Sequence, residues 1–460
     1  MPRNFDSGCE SVFPSNRPHS YDHESGIVRV VKASALLAFV SAAALAADVR
    51  IGADGVFRIG GALSFPIGFT TAPPPDGKTP DGRDAYAELR QFGAVHHRCG
   101  APHGTPVPEA LRQIEHMLDR SAETGLLCAF HLPAVAAVDG RNEPELRRVV
   151  EKYRKHPGLG YWKGVDEPEW RKVPPAKVRR FYDVVKSLDP LHPVWITQAP
   201  RGTMESLRRY APAYDVGAVD IYPVGYPPGM HSHFPNKNLS VVGDYAKWIR
   251  EISGPSKPIW MILQICWSGV TNPGKTLRFP TFPELRYMTY QSIIQGARGL
   301  MYFGGNSLPG LNDRDRALGW NWTYYERVLK PVLDELKPGS PLHPALTAPD
   351  SPIRLTAQGA PDIEFLVREG GSRVFVLAAK REGATAEVKF SGLPAGLEFE
   401  RTLFEEPRRP KTFAGGFTDW FGPNEVHVYS FTREGAAGGR RPGGISAGQR
   451  PRRDADRMRD

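Results

Sequence analysis

The stretch Gly160–Pro168, G-Y-W-K-G-V-D-E-P, decides how the chain is read. Tyr161, Trp162 and Val165 make an apolar, aromatic strand, Asp166 and Glu167 close it with adjacent carboxylates, and Pro168 stops it. An apolar rim raises the pKa of a carboxylic acid until it keeps a proton it can donate, which is what acid/base chemistry requires. The plain alternative is that Asp166 or Glu167 caps the following segment, W-R-K-V-P-P-A-K-V-R-R-F. The choice turns on the neighbours of this strand.

Outward from it, short apolar runs alternate with amphipathic stretches from Phe65 to about Ala348. Strands are expected at 65–70, 94–99, 126–132, 159–166, 193–198, 216–222, 258–265 and 299–304. Helices are expected at 108–124, 143–155, 176–188, 241–253, 282–295 and 323–336. Eight β/α units predict an α/β fold, a (β/α)8 TIM barrel over 47–348. A doubly wound open sheet competes, but no G-x-G-x-x-G follows the first strand. After Pro349 the period changes to two, in runs such as R-V-F-V-L-A-A and V-H-V-Y-S-F. These predict a small C-terminal antiparallel β-sandwich over 349–432.

The ends of the chain read differently. Residues 29–46 carry a basic start (Arg29, Lys32), an apolar run to Leu45 and a small-residue Ala-Leu-Ala site, so they read as a secretory leader. The run is too short for a stable membrane anchor. The polar segment before it fits a start assigned too early, and 1–46 is treated as extension plus leader. The formal net charge is +9, yet about four of those charges come from the Arg- and Gly-rich tail 433–460, whose composition predicts disorder. No folded basic stripe points to nucleic acid. Cys99, Cys128 and Cys266 fall in expected barrel strands and are read as buried free thiols. No Cys/His spacing calls for a metal, and no cofactor is implied. Asp313 and Asp315 in L-N-D-R-D-R are the only acidic pair considered for calcium.

In a barrel of this kind chemistry gathers at the C-terminal strand ends. Those ends supply His97 and Arg98 (second strand), His131 (third), Asp166 and Glu167 (fourth), Gln198 (fifth), Asp220 and Tyr222 (sixth), Gln264 and Trp267 (seventh) and Asn306 (eighth). With Trp320 and Trp322 nearby, this set suits a polyhydroxylated ligand, whose ring stacks on aromatic faces while amides and carboxylates take its hydroxyls. Each residue has a plainer reading. His97 and His131 can be satisfied buried histidines, Asp220 can bind the next loop, Trp267 can be core, and Tyr222 before Pro223 can shape a turn. Arg98 can be the ion-pair partner of Asp166 or Glu167, lowering that partner's pKa.

At this point the sequence resembles the (β/α)8 barrels of the clan A glycoside hydrolases, in which strand 4 ends N-E-P and strand 7 ends in a nucleophilic Glu. D-E-P at 166–168 matches the first motif, and 280–303, P-T-F-P-E-L-R-Y-M-T-Y-Q-S-I-I-Q-G-A-R-G-L-M-Y-F, resembles the helix 7 and strand 8 region of bacterial relatives. The resemblance spans about residues 60–340 and implies that Glu167 is the acid/base of a glycosidase acting on an oligo- or polysaccharide. It departs at two positions: Asp166 stands where Asn is usual, and Gln264, in W-M-I-L-Q-I-C-W, stands where the nucleophile belongs. An amide cannot form the glycosyl ester, so the second carboxylate is left between Asp220 and Asp166. His97, Arg98, His131, Gln198, Tyr222, Gln264, Trp267, Asn306 and Trp320 are the expected substrate-binding residues. Two other readings stay open: a carbohydrate-binding barrel without catalysis, and a lyase with His131 or Tyr222 as base.

Overall fold

A computed structural model describes residues 46–433, apart from 103, 226–227, 267–277 and 307–309. The leader-like segment up to Leu45, Trp267 and the tail after Arg433 lie outside the described residues.

Eight parallel strands close a barrel in chain order: β4 (Ile67–Phe69), β5 (His96–Cys99), β6 (Leu127–Phe130), β7 (Leu159–Asp166), β8 (Val194–Gln198), β9 (Val216–Ile221), β10 (Ile259–Gln264) and β11 (Ala297–Phe303). They are preceded by an antiparallel sheet of β1 (Val49–Ile51), β2 (Phe57–Ile59) and β3 (Ala62–Ser64), which period and propensity did not single out. Between the barrel strands run α1 (Ala85–Gln91), α2 (Val107–Thr124), α3 (Pro133–Ala136), α4 (Glu143–Tyr153), α5 (Pro175–Leu188), α6 (Met204–Arg208), α7 (Val241–Ser253) and α8 (Phe282–Ile294). Their spacing explains their orientation. In α2, Leu111, Ile114 and Leu118 recur at helical period and are buried, and Gly125 ends the helix in the left-handed conformation.

Inside the barrel, Tyr161, Trp195, Trp260, Ile262 and Met301 form one apolar cluster, which Val49 and Phe57 of the N-terminal sheet join. His96 lies within it, its ring 4.7 Å from those of both Tyr161 and Trp260. Gly68 on the adjacent strand is required there, because a Cβ would come within 2.5 Å of the imidazole.

The sandwich pairs two antiparallel sheets. One has the order β12 (Thr356–Gln358), β15 (Ala386–Ser391), β18 (Gly416–Phe421), β17 (Lys411–Phe413); the other β13 (Ile363–Gly370), β14 (Arg373–Lys380), β19 (Val426–Arg433), β16 (Leu397–Leu403). The period of two along β14 divides its side chains between two cores. Val374, Val376 and Ala378 face the other sheet, with Val388, Phe390 and Phe417. Phe375, Leu377 and Ala379 join the same cluster as Leu285, Met288 and Ile293 of α8. Burying each such side chain stabilises the structure by about 1.5–3 kcal/mol, so barrel and sandwich share a core.

The expectation of three free thiols is corrected. Cys99 and Cys128 form a disulfide with Cα atoms 5.5 Å apart, and Cys266 alone remains free and buried. The parallel register sets Cys128 opposite His97, two residues before Cys99 on β5, so both thiols leave the sheet on one face. Asp315, considered for calcium, is buried, and its carboxylate accepts from the Thr323 amide at 2.7 Å and from Asn312 at 3.2 Å.

Candidate active site

At the C-terminal mouth the β7 strand departs from regular pairing. Its register against β8 shifts between Lys163 and Asp166, and the Glu167 amide then donates to the Thr197 carbonyl at 2.8 Å. Glu167 itself takes φ 52°, a left-handed conformation that costs a residue with a Cβ roughly 1 kcal/mol or more. Neither carboxylate caps the next helix: α5 starts after Pro174 with no side-chain cap. The capping explanation therefore fails, and of the two acids Asp166 lines the cleft at the mouth.

Lys163 is the residue that the sequence reading passed over. Its side chain is fully buried, 4.6 Å above the Trp195 ring. Burial pulls its pKa down, while Asp166 Oδ1 at 3.0 Å and the Val165 carbonyl at 3.2 Å favour its charged form. Arg98 approaches Asp166 from the other side, at 3.8 Å. Burial pushes the Asp166 carboxyl up, but Lys163, Arg98 and His131 outweigh it and hold the pKa well below the usual carboxylate range.

The other two acids shift the opposite way. Burial and the charge of Asp166 push Glu167 up. Burial, then Glu167 and Asp166, push Asp220 far above its ordinary value. Asp220 is almost inaccessible, at 7 % exposure, and its Oδ1 has no hydrogen-bond partner among the described residues. The three carboxyls of β7 and β9 thus form one electrostatic cluster. Asp166 is its fixed anion, and Glu167 and Asp220 keep protons to higher pH.

A cleft of about 790 Å³ adjoins this cluster. Arg98, His131, Asp166, Arg171 and Asn306 line it. His131 Nδ1 lies 3.4 Å from the Lys163 carbonyl, which can only accept, so Nδ1 carries the proton. Burial and the nearby Lys163 and Arg98 charges take its pKa down to about 3, leaving the ring neutral. His97 reaches the cleft wall, but its Nε2 is hydrogen-bonded to Ser121 of α2 at 2.7 Å, and burial lowers its pKa to about 4.

Four expected ligand contacts are buried in the fold. Gln264 is fully buried; its Oε1 accepts from the Val224 amide at 2.8 Å and its Nε2 donates to the Val224 carbonyl at 2.9 Å. The amide at the position where the resemblance expects a nucleophile therefore clamps the loop after β9, a donor-plus-acceptor task that a carboxylate cannot perform. Trp320 is likewise buried, donating to the Thr71 carbonyl at 2.9 Å. Gln198 is fully buried, and neither of its amide atoms has a hydrogen-bond partner among the described residues. Tyr222 is held between His231 and Phe303, its ring centroid 4.4 and 5.1 Å from theirs. Its hydroxyl pKa is pushed well above the usual value by burial and by Asp220, which makes it a poor base. Trp267 cannot be placed, since it lies outside the described residues.

Sequence reasoning also missed Trp170, three residues after Glu167. Its ring is 57 % exposed beside the D-E-P turn, with the Arg201 guanidinium 6.0 Å from the ring centroid. A tryptophan inside a polar turn was the available signal.

No protein-family model and no curated protein matches this sequence significantly. Solved structures do match in shape. One titled a glycoside hydrolase superposes with a TM-score of 0.54 at 14 % identity, covering 84 % of this chain and 97 % of that one. A glycoside hydrolase of family 5 from Bacteroides vulgatus gives a TM-score of 0.53 at 13 % identity, covering 84 % and 93 %. At such identities the likeness is one of fold: the chain has the (β/α)8 barrel architecture found in glycoside hydrolases.

Proposed function

We propose that the protein hydrolyses a glycosidic bond with Glu167 as the general acid and Asp166 as the anionic partner. The observation that carries this reading is Glu167 itself, a non-glycine residue held in the left-handed conformation with its pKa raised, next to an acid whose pKa is lowered. Two carboxyls pushed apart in this way are what glycoside cleavage requires. The raised Glu167 delivers its proton to the departing oxygen, and the water that then adds to the anomeric carbon returns a proton to the Glu167 carboxylate. The Asp166 carboxylate, kept ionised by Lys163 and Arg98, faces the positive charge that develops on the sugar ring. Asp220 holds its proton in this scheme and is not the anion. Trp170, exposed at the turn, offers a stacking face for a sugar ring.

Export from the cytosol belongs to the same reading. The Cys99–Cys128 bridge suits an oxidising compartment, as does the leader-like segment at 29–46. No helix among the described residues is long and apolar enough to cross a membrane.

The test is Glu167→Gln, assayed on a broad glycan panel for release of reducing ends and, in parallel, for binding. Loss of at least about a hundredfold in rate with binding retained supports the assignment. Unchanged turnover sinks it, and binding without turnover in the parent protein would turn the barrel into a carbohydrate-binding module.

A further inference from the structure

The cleft carries positive charge that the carboxyl cluster does not consume. Arg98 and Arg171 both line it, and Asp166 is the one carboxylate in its described wall. That carboxylate is already matched by Lys163 at 3.0 Å. Arg98 stands 3.8 Å from Asp166, beyond hydrogen-bond distance. Arg171 is exposed, and its side chain makes no hydrogen bond or ion pair among the described residues. Its charge is felt at Glu167, which it lowers against the larger raising effects. The other two basic groups of the wall, His97 and His131, are neutral. Arg98 thus pairs with Asp166 only at ion-pair range and without a hydrogen bond, and Arg171 has no side-chain partner among the described residues. The wall holds two guanidinium groups against one carboxylate, and a planar or tetrahedral oxyanion is the group such forks fit.

We infer that the substrate is an anionic glycan, whose carboxylate or sulfate group is held by Arg98 and Arg171 in the cleft beside Asp166. This inference rests on the glycosidase reading for the cleavage of the bound glycan, but not for binding itself. Near a fixed anion such as Asp166 an acidic substrate would otherwise be repelled, so the surplus of cations is what lets it approach.

The experiment is calorimetric titration of the Glu167→Gln protein, which binds without turnover if Glu167 is the general acid. The probes are oligosaccharides of galacturonic, glucuronic and mannuronic acid and sulfated galactans. Each is paired with the neutral counterpart made by carboxyl reduction or desulfation. We expect at least one acidic member to bind roughly ten- to a hundredfold tighter than its neutral partner. That preference should shrink with added salt and be largely lost in Arg171→Gln, an exposed position where folding is not at stake. Whether the uronates or the sulfates carry the preference identifies the oxyanion. The inference is overturned if no acidic glycan binds, if neutral partners bind as well, or if the preference survives Arg98→Gln/Arg171→Gln. Acidic glycans bound but never cleaved by the parent protein would contradict the hydrolase reading alone. Neutral glycans cleaved in preference would contradict this inference alone.

Discussion

Lys163 brings a charge into the middle of an aromatic barrel, and the cost is met by its contacts with Asp166, two carbonyls and the Trp195 face. Its consequence is electrostatic: Asp166 stays ionised although it is largely enclosed. A depressed carboxyl pKa contributes stability that is present above the unfolded value and is lost as pH falls through the folded value. The same ionisation supplies the anion that the proposed chemistry uses. Lys163→Met should therefore move the acid limb of the kcat/KM–pH profile upward, because Asp166 then protonates at higher pH. Circular dichroism of the variant distinguishes this from unfolding. A folded variant with an unmoved acid limb would show that the Asp166 charge is not used. In the sequence, Lys163 is a lone cation in an apolar strand, and the anomaly is visible in W-K-G-V. What it touches was not, because the shifted register that returns its ammonium to Asp166 depends on pairing with β8.

At the scale of elements, strand order was legible because alternation of apolar runs and helices is a local signal. β7 spans Leu159–Asp166 as the pattern implies, and the other barrel strands fall within the expected ranges or, for β11, begin two residues earlier. The short N-terminal strands β1–β3, three residues each, carry too little pattern to be read. Roles at strand ends were less legible, since a side chain's partner comes from another element. Gln264 looked like a lost nucleophile, yet it ties β10 to the Val224 backbone with both amide atoms. Gln264→Glu should accordingly cost about 1–3 kcal/mol, because a carboxylate cannot donate to the Val224 carbonyl and its oxygen is repelled by it. Chemical denaturation measures the loss, and hydrolysis should not rise. A variant as stable as the parent and more active would show that this position faces the substrate instead. Cys99 and Cys128 illustrate the same limit: their pairing follows from the β5–β6 register, which their spacing in sequence does not specify.

At the scale of the molecule, the sandwich is part of the barrel's support. Its β14 strand sends Leu377, with no exposed surface, into the core shared with α8. Polar ties reinforce the contact: Arg286 of α8 donates to the Val426 carbonyl at 2.8 Å, and Arg381 meets Asp244 of α7 at 2.9 Å. Leu377→Ala should destabilise the protein by about 2–5 kcal/mol and lower a single transition seen alike by probes in barrel and sandwich. Two separated transitions, with only the sandwich weakened, would mean that the parts fold independently. The period-two pattern after Pro349 made the sandwich legible, but which of its faces meets the barrel is set by packing.

The central claim is that Glu167 gives a proton to a departing glycosidic oxygen, and the leaving group tests it most directly. An aryl glycoside with a strongly acidic phenol needs no protonation to depart, whereas a natural sugar leaving group does. The decisive measurement compares kcat/KM of Glu167→Ala with that of the parent on both kinds of substrate. The account predicts a loss of about 10²–10⁴-fold on the natural linkage and a much smaller loss of bond cleavage on the activated phenol. Equal losses on both, or none on either, would contradict it.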